Sequence, residues 1–484
     1  MSLRKVANVV GLLQIFLALA MFVTGVVAAG YGDGNARGFL QAGAVTMLAG
    51  WLMYVSTRFD EDITPREGFA IVTFSWTATA LFGSLPYLFT GALRSPIAAV
   101  FESMSGFTTT GATVFGDIEA LPHGVLLWRS MTHWIGGMGI IVLVIAVLPY
   151  LGVGGMQLFR AEVPGPTPER LRPRIAQTAK LLWLVYFGLT ALLIILYLLG
   201  GMGPFDAINH SFSTLATGGF STRNTSMAEM SPYIQWITIL FMYLAGISFA
   251  LHLRAATGRL AYFRDEEWRF YSLVLVTSAA AIALLNFASG DRGSAASGVR
   301  DALFQAVSIM TTTGYVSADY ELWIPGAQMV LLTLFFVGGM AGSTGGGIKT
   351  MRVLLLLKQT ANELRKHLHP RAIFVARIGA SPVKDDIAAR VVAFVILYLL
   401  LCLVGAVALA VTGVDLLTAI GGTLATVGNV GPAFAGLGPT DNFGWLSDAG
   451  LAVLAFLMLV GRLEIYTVLL LFHPELWKDR HSFH

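Results

Sequence analysis

Four short runs in this chain end a small apolar segment with hydroxyl or β-branched residues placed before a glycine. They are Thr109-Thr110-Gly111, Ala216-Thr217-Gly218, Thr312-Thr313-Gly314 and Thr426-Val427-Gly428, with glycine spacings of 107, 96 and 114 residues (111 to 218, 218 to 314 and 314 to 428). Backbone carbonyls from four loops can replace the water of a dehydrated cation. Glycine adopts the positive φ values that aim such carbonyls. We therefore predict a cation filter built from four repeated units; four helix-ending turns are the simpler alternative.

The composition indicates that these runs lie in a membrane. Of the 484 residues, 56% are hydrophobic and only 12% are charged, and the mean hydropathy is +0.71. A soluble domain carries about twice that share of charged residues, so we predict a polytopic membrane protein within a lipid bilayer. The net charge of +3 does not indicate a nucleic-acid partner, and the single cysteine, Cys402, excludes an intrachain disulfide.

Apolar runs of spanning length set the predicted architecture. We expect an all-α fold of about ten spanning helices and four short pore helices. Residues 1–67 form a transmembrane hairpin in this prediction, and four helix–pore-loop–helix units follow around one central pore at residues 68–160, 161–262, 263–372 and 373–484. The short segments, about 10 residues each, can enter a bilayer but not cross it. Asp206, Asp301 and Asp415 stand at the predicted starts of three of them, where a carboxylate caps free N–H groups.

The distribution of charge predicts the orientation. Basic residues concentrate in the linkers at residues 159–180 and 358–384 and in the tail with Lys478 and Arg480, so these linkers and both termini are predicted to be cytoplasmic. The loops after the filter runs are acidic, and we expect them to form an outer vestibule that concentrates cations. Its carboxylates are Asp117, Glu119, Glu229, Asp319, Glu321, Asp441 and Asp448.

Two features do not suit ordinary spanning helices. The run Ala341, Gly342, Ser343, Thr344, Gly345, Gly346 and Gly347 lies inside the apolar residues 327–357 and should break a helix, because each glycine costs roughly 1 kcal/mol. Arg462 lies inside the apolar residues 451–472, where a charge costs at least ~2.5 kcal/mol and marks a functional candidate. The structural alternatives are close helix packing for the glycines and, for Arg462, a pair with Glu464 or a loop carbonyl.

Four pore loops with one central glycine each and non-identical filters resemble the Trk/Ktr/HKT superfamily of cation transporters. The N-terminal hairpin and the length make the chain most similar to the bacterial Trk-type branch, and the similarity extends from Phe69 onward. The resemblance implies that K⁺ is the transported ion, as glycine at position 111 is typical of potassium-selective members. It also implies that Arg462 is a positive barrier in the ion path below the filter and that residues 341–347 are the gate.

The same resemblance implies location and partners. We expect a multi-pass protein of the bacterial inner membrane, a homodimer with one pore in each protomer, and a cytoplasmic ring of nucleotide-binding regulatory subunits. No nucleotide is expected on this chain itself. The run from Gly342 to Thr350 resembles a phosphate-binding loop, but Ile348 separates Gly347 from Lys349 and no strand pattern precedes the run.

Two other functions stay open at this point. A sodium-permeable or poorly selective transporter of the same superfamily differs in its filter, and Gly111 argues against it. A membrane enzyme or scaffold would use the glycines for packing. The histidines lack the spacing of a zinc site on a helix, and no Ser/His/Asp set is visible, so we expect neither enzyme activity nor catalytic residues.

Overall fold

The computed structural model of this chain describes residues 1–60, 63–146, 171–256, 261–289, 295–379 and 381–477. Within these ranges the regular structure is helical, apart from one antiparallel pairing of Arg377–Ile378 with Ser381–Pro382. The predicted all-α membrane fold is therefore confirmed. Most of the first basic linker and the tail with Lys478 and Arg480 lie outside the described residues.

The N-terminal hairpin consists of Leu3–Tyr31 and Ala36–Ser56. Small residues let the two helices pack closely: a methyl group added at Gly11 would lie 2.7 Å from the carbonyl oxygen of Gly50, and one at Gly50 equally close to the carbonyl of Gly11. The first helix ends at Gly32, whose φ of 72° is left-handed and costs glycine little.

Six helices in the described residues are long and apolar enough to cross a membrane, and two bent pairs would raise the number to eight. The six are Leu3–Tyr31, Ala36–Ser56, Arg66–Phe89, Gln177–Leu199, Glu266–Ala288 and Asp386–Val411. The sequence predicts two further spans. One corresponds to the helix His123–Ala146, which ends where the described residues end. The other is divided into Pro325–Leu334 and Thr350–Leu368 by a non-helical stretch.

Two predicted spans are bent and not continuous. Residues 234–253 fall on Pro232–Ala245 and Phe249–Ala256, with a bend of 99°. Residues 451–472 fall on Asp448–Arg462 and Ile465–Phe472, with a bend of 112°. Each of these apolar runs therefore forms two helices and not one continuous helix, and Arg462, predicted in the middle of a span, lies at the end of a helix at a bend.

A short helix precedes each filter run: Pro96–Phe107, Pro204–Leu215, Ala295–Met310 and Leu416–Val427. As predicted, Asp415 caps the fourth by accepting two backbone N–H groups at 3.1 Å. The prediction that Asp206 and Asp301 cap their helices is wrong. Asp206 lies in the first turn of its helix but does not cap it, and Asp301 lies further inside the helix Ala295–Met310. They instead accept hydrogen bonds from the hydroxyls of Thr222 and Ser317, at 2.8 and 3.0 Å, in the loops that follow.

Candidate functional site

The ends of the four short helices give the chain the same backbone pattern in each unit. In unit one, the Thr109 N–H donates to the Gly106 carbonyl at 3.0 Å and the Thr110 N–H to the Ser105 carbonyl at 2.8 Å. The same pair of hydrogen bonds, to carbonyls three and five residues earlier, occurs at residues 217 and 218, 312 and 313, and 429 and 430. The pattern aligns the four units by geometry, whatever their residue types.

Positive φ values also recur at equivalent positions in the four units. The first aligned residues, Thr109, Thr217, Thr312 and Asn429, have φ between 52° and 59°. Two residues later, Gly111, Gly219, Gly314 and Gly431 have φ between 77° and 101°, while the residue between keeps a negative φ. Positive φ is rare for residues with a side chain and readily adopted by glycine, so its repetition shows that the four loops share one backbone shape.

The four loops meet in one closed ring. Methyl groups added at the four glycines would each lie 2.6 Å or less from a carbonyl oxygen of the next unit: Gly111 against Gly218, Gly219 against Thr313, Gly314 against Val430 and Gly431 against Thr110. The fourth unit thus returns to the first. We call residues 110–111, 218–219, 313–314 and 430–431 the carbonyl ring. The oxygens that the neighbouring loops place at these glycines are backbone carbonyls. In the described part of the chain, no three His, Cys, Asp or Glu side chains are placed to hold a metal ion.

This geometry corrects the predicted filter register in units two and four. Gly111 and Gly314 occupy equivalent positions, but their counterparts in units two and four are Gly219 and Gly431 and not the predicted Gly218 and Gly428. Gly219 and Gly431 lie one and three residues beyond the predicted glycines. Alignment on the first glycine after a hydroxyl or β-branched residue fails because unit two has two adjacent glycines and the fourth short helix extends further along its run.

The remaining predicted residues of those two units therefore take other positions. Gly218 contributes its carbonyl to the ring, in the place that Thr110 has in unit one. Ala216 and Gly428 end their short helices with right-handed backbone angles. Thr426 and Val427 belong to the last turn of the fourth helix. In units one and three, the six predicted residues keep their predicted register.

The stretch between Pro325–Leu334 and Thr350–Leu368 folds back against the carbonyl ring. Its base is closed by the Gly338 N–H, which donates to the Ile348 carbonyl at 2.8 Å. Close to this base, the Gly346 N–H donates to Oγ1 of Thr312 at 2.6 Å. The predicted break in the helix is present and longer than residues 341–347, all of which lie in the non-helical part.

Side chains from neighbouring elements hold this stretch in place. The hydroxyl of Thr344 lies 3.0 Å from the carbonyl of Leu215, at the end of the second short helix, and 3.2 Å from a second carbonyl. On the other side, Oε1 of Glu267 accepts the N–H groups of Ala341 at 2.8 Å and Met351 at 3.1 Å. One carboxylate oxygen thus links the middle of the stretch to the first turn of the helix that follows it.

Arg462 contacts the same stretch. It is 3% exposed, and its Nη1 donates to the carbonyl of Thr344 at 2.8 Å. Its Nε and Nη2 have no hydrogen-bond partner among the residues described. Glu464 is not its partner, because that carboxylate pairs with Arg352. The sequence analysis considered Glu464 and a loop carbonyl as structural partners of Arg462, and the structure shows the loop carbonyl.

The sequence analysis did not identify a buried ion pair in unit one that also contacts unit two. Nε of Arg129 lies 2.9 Å from Oε1 of Glu102, and the two side chains are 1% and 0% exposed. Glu102 also accepts the hydroxyl of Thr113, and Arg129 donates to the carbonyl of Ser221 at 3.1 Å. The signal that singled out Arg462, a charge inside an apolar segment, marks this pair equally well.

Several predicted vestibule carboxylates tie the loops of different units together. Asp117 and Glu119 accept hydrogen bonds from Asn224. Glu321 accepts the N–H of Ala435 at 2.6 Å, and Asp448 accepts the hydroxyl of Ser95 at 3.2 Å. These contacts join units one and two, three and four, and four and one.

Two of these loop carboxyls differ in acidity. The side-chain hydrogen bond from Asn224 lowers the pKa of the exposed Asp117. Burial raises the pKa of Glu321, and the nearby charges of Asp319 and Asp441 act in the same direction. Asp117 therefore keeps its negative charge to lower pH than Glu321 does.

Comparison with known proteins places this geometry in a family. The sequence matches the family "TrkH: Cation transport protein" over residues 36–481. It is 41% identical to the Trk system potassium uptake protein TrkH of Escherichia coli K12, over 99% of this chain and 100% of that protein. The corresponding protein of Halomonas elongata is 42% identical, with the same coverage. The crystal structure of the potassium transporter TrkH from Vibrio parahaemolyticus superimposes with a TM-score of 0.92 at 38% identity, covering 99% of this chain and 100% of that one.

Proposed function

This chain belongs to the TrkH family of cation transport proteins, and on that premise we propose that it takes up K⁺ through the carbonyl ring. The observation that carries the proposal is the closure of the ring, in which each unit's glycine abuts a carbonyl of the next unit. Rings of backbone carbonyls replace the hydration shell of K⁺ in selective pores. The full-length relatives named as potassium uptake proteins support K⁺ as the cation.

The filter in this proposal comprises Thr109 to Gly111, Thr217 to Gly219, Thr312 to Gly314 and Asn429 to Gly431. The predicted Ala216, Thr426, Val427 and Gly428 are replaced by their geometric counterparts. Positive φ at a threonine is costly, about 1–3 kcal/mol for a strained residue, and such strain clusters at functional sites. Its recurrence at three equivalent threonines supports the assignment.

Below the filter, we assign Arg462 as the positive barrier and residues 341–347 as the gate. Two observations support these roles. The Gly346 N–H donates to Oγ1 of Thr312, so the stretch adjoins the filter. Arg462 binds the stretch through the Thr344 carbonyl and keeps donors without partners among the described residues. Movement of the stretch would therefore move the contacts of the barrier.

The chain is a multi-pass membrane protein, and we assign it to the bacterial inner membrane with cytoplasmic termini. We further propose a homodimer on a cytoplasmic ring of nucleotide-binding regulatory subunits, with the nucleotide held by that partner. The helix Thr350–Leu368 and the residues just after it offer a docking surface, because the last turn of the helix is basic and Leu364, Leu368 and Ile373 are exposed.

Flux measurements test the transport function. Purified chain in proteoliposomes, with and without the regulatory ring, should pass K⁺ and Rb⁺ well ahead of Na⁺. Gly314→Ser should erode that preference, because any side chain at this position meets the Val430 carbonyl. Arg462→Ala should raise the flux of K⁺ and Rb⁺ by removing the positive barrier.

Other outcomes would contradict parts of the proposal. Equal Na⁺ and K⁺ flux in the wild type would favour the poorly selective transporter. No flux of any cation, with the ring present and the chain folded, would contradict the transport function and leave a scaffold role. An unchanged ratio in Gly314→Ser would contradict the filter assignment alone.

A further inference from the structure

We propose that the buried pair of Glu102 and Arg129 sets the shape of the carbonyl ring and thereby its preference for K⁺ over Na⁺. The inference rests on the proposed transport function and adds two positioning residues to it. Neither side chain belongs to the ring. Both act through the loops of units one and two that they hold.

Glu102 fixes the outer part of the first loop to its own short helix. The carboxylate is fully buried and accepts the Thr113 hydroxyl at 3.0 and 3.1 Å and the Val114 N–H at 2.9 Å. These two residues follow Gly111 closely along the chain. A displacement of the carboxylate would therefore be transmitted to the ring through only two or three residues of backbone.

Arg129 extends the connection from unit one to unit two. Its Nε binds Glu102 at 2.9 Å, and its Nη1 donates to the Ser221 carbonyl at 3.1 Å. The guanidinium also lies over the ring of Phe220, 4.1 Å from the centroid. Phe220 and Ser221 directly follow Gly219 in the carbonyl ring. One cation thus holds the outer parts of two neighbouring loops at a fixed separation.

In three of the four units, the side chain at the position of Glu102 in the short helix forms a hydrogen bond to the loop that follows the helix. Eight residues before Thr110, Gly218, Thr313 and Val430 stand Glu102, His210, Gln305 and Gly422. Nε2 of His210 lies 3.0 Å from the Ser221 hydroxyl, the counterpart of Thr113. Nε2 of Gln305 donates to the Ala318 carbonyl at 3.3 Å. Unit four has no side chain there, and among these four positions only Glu102 is paired with a buried arginine.

The pair is suited to keeping the ring open. Discrimination between K⁺ and the smaller Na⁺ depends on the spacing or the field of the coordinating carbonyls. A ring that closes around a smaller ion loses that discrimination. A buried salt bridge resists such movement, since separating its members leaves an uncompensated charge in a low-dielectric site. We therefore expect the pair to affect the ratio of ion fluxes more than the fold.

The test compares Rb⁺ and Na⁺ flux in proteoliposomes for the wild type and for Glu102→Gln, Arg129→Gln and the double variant. Thr113→Val adds a milder change, because it removes one hydroxyl and leaves the ion pair intact; Thr113→Ser keeps the hydroxyl. The matched control is Glu67→Gln. Glu67 is another buried carboxylate with backbone hydrogen bonds and a lysine partner, Lys5, at 3.5 Å, in the helix that begins unit one.

We expect the Rb⁺/Na⁺ flux ratio to fall at least about threefold in the pair variants and in Thr113→Val. Thr113→Ser and Glu67→Gln should keep the wild-type ratio. If the pair variants fail to fold, Thr113→Val decides the question. An unchanged ratio in folded Thr113→Val, or an equal fall in Glu67→Gln, would overturn the inference while the wild-type flux upholds the proposed function. A wild type that passes neither ion, with the regulatory ring present, would instead overturn that function and the inference with it.

Discussion

The four residues that directly precede the carbonyl ring carry an unusual backbone conformation. Thr109, Thr217 and Thr312 have φ near +55° and are almost completely buried. A β-branched residue adopts this region rarely, and such strain persists only where the surrounding structure determines it. Asn429, the fourth member, tolerates the conformation better. The loops are therefore held in their shape by the fold before any ion binds.

The corrected register predicts a difference between two glycines three residues apart. Gly431 has φ of 101°, and a methyl group on it would lie 2.6 Å from the Thr110 carbonyl of unit one. Gly428 ends the fourth short helix with φ of −76°, and the nearest atom to a methyl group there is the Leu424 carbonyl of the same helix, at 2.9 Å. We expect Gly431→Ala to reduce Rb⁺ flux about tenfold or more, because the substitution combines strain with a clash in the ring.

Gly428→Ala is the matched control for that experiment. Both variants should be assayed as folded protein in proteoliposomes at equal density. Gly428→Ala should retain most of the wild-type flux. The reverse ranking, with Gly428→Ala the more damaging, would restore the register read from the sequence and contradict the ring described above.

The glycine pattern itself was accessible from the sequence, whereas its register was not. Glycines recur near the end of each short apolar segment, and this recurrence was sufficient to predict four related loops. The last helical residue before each loop could not be read from residue types. Val427 is helical although its β-branched side chain follows Thr426 and precedes glycine. Tertiary packing decides such a boundary, and only the backbone hydrogen bonds show where it lies.

Among the helices and their connections, the bend after Pro232–Ala245 and the non-helical stretch of unit three satisfy each other's backbone hydrogen bonds. The Met340 N–H donates to the Gly246 carbonyl at 2.8 Å, and the Phe249 N–H donates to the Gly342 carbonyl at 3.1 Å. Broken helices at membrane depth require such partners, because lipid supplies none. The glycine run made the stretch in unit three predictable. The bend in unit two depends on partners far along the chain and was not.

The grip of Glu267 on the stretch leads to a prediction about gating. The Ala341 and Met351 N–H groups share a single acceptor, Oε1 of Glu267, so Glu267→Gln, which introduces an NH₂ donor into this acceptor group, should loosen the hold on both. We expect the Rb⁺ flux of the chain without its regulatory ring to rise about threefold or more. The measurement is a proteoliposome flux assay with a thermal-stability check on the same sample.

Glu266→Gln provides the neighbouring control. Glu266 begins the same helix but pairs with Lys358 and accepts the Gly379 N–H at 2.7 Å. It should leave the basal flux near the wild-type level. Unchanged flux in a stable Glu267→Gln protein would show that this carboxylate does not restrain a gate.

At the scale of the whole molecule, the four units interlock at their outer loops as well as at the ring. Backbone and side-chain hydrogen bonds join each unit to the next: Asn224 to Asp117 at 2.9 Å, Met227 to Val316 at 3.0 Å, Tyr320 to Ala433 at 2.6 Å and Phe443 to Thr113 at 2.8 Å. The circuit closes from unit four to unit one. No unit can therefore unfold at its outer face without releasing contacts of both neighbours.

This interlocking predicts that a permeant ion stabilises the entire fold. An ion held by carbonyls from all four units binds the folded state alone, and such binding adds about 2.7 kcal/mol to the free energy of unfolding when the ion is at 100 times its dissociation constant. Detergent-solubilised protein should therefore melt several degrees higher in KCl or RbCl than in choline chloride at equal ionic strength. NaCl should give a smaller shift. In Gly431→Ala, where the clash with the Thr110 carbonyl disturbs the ring, the difference between K⁺ and choline should largely disappear. Equal melting temperatures in all salts for the wild type would indicate that no cation binds across the four units in the folded state.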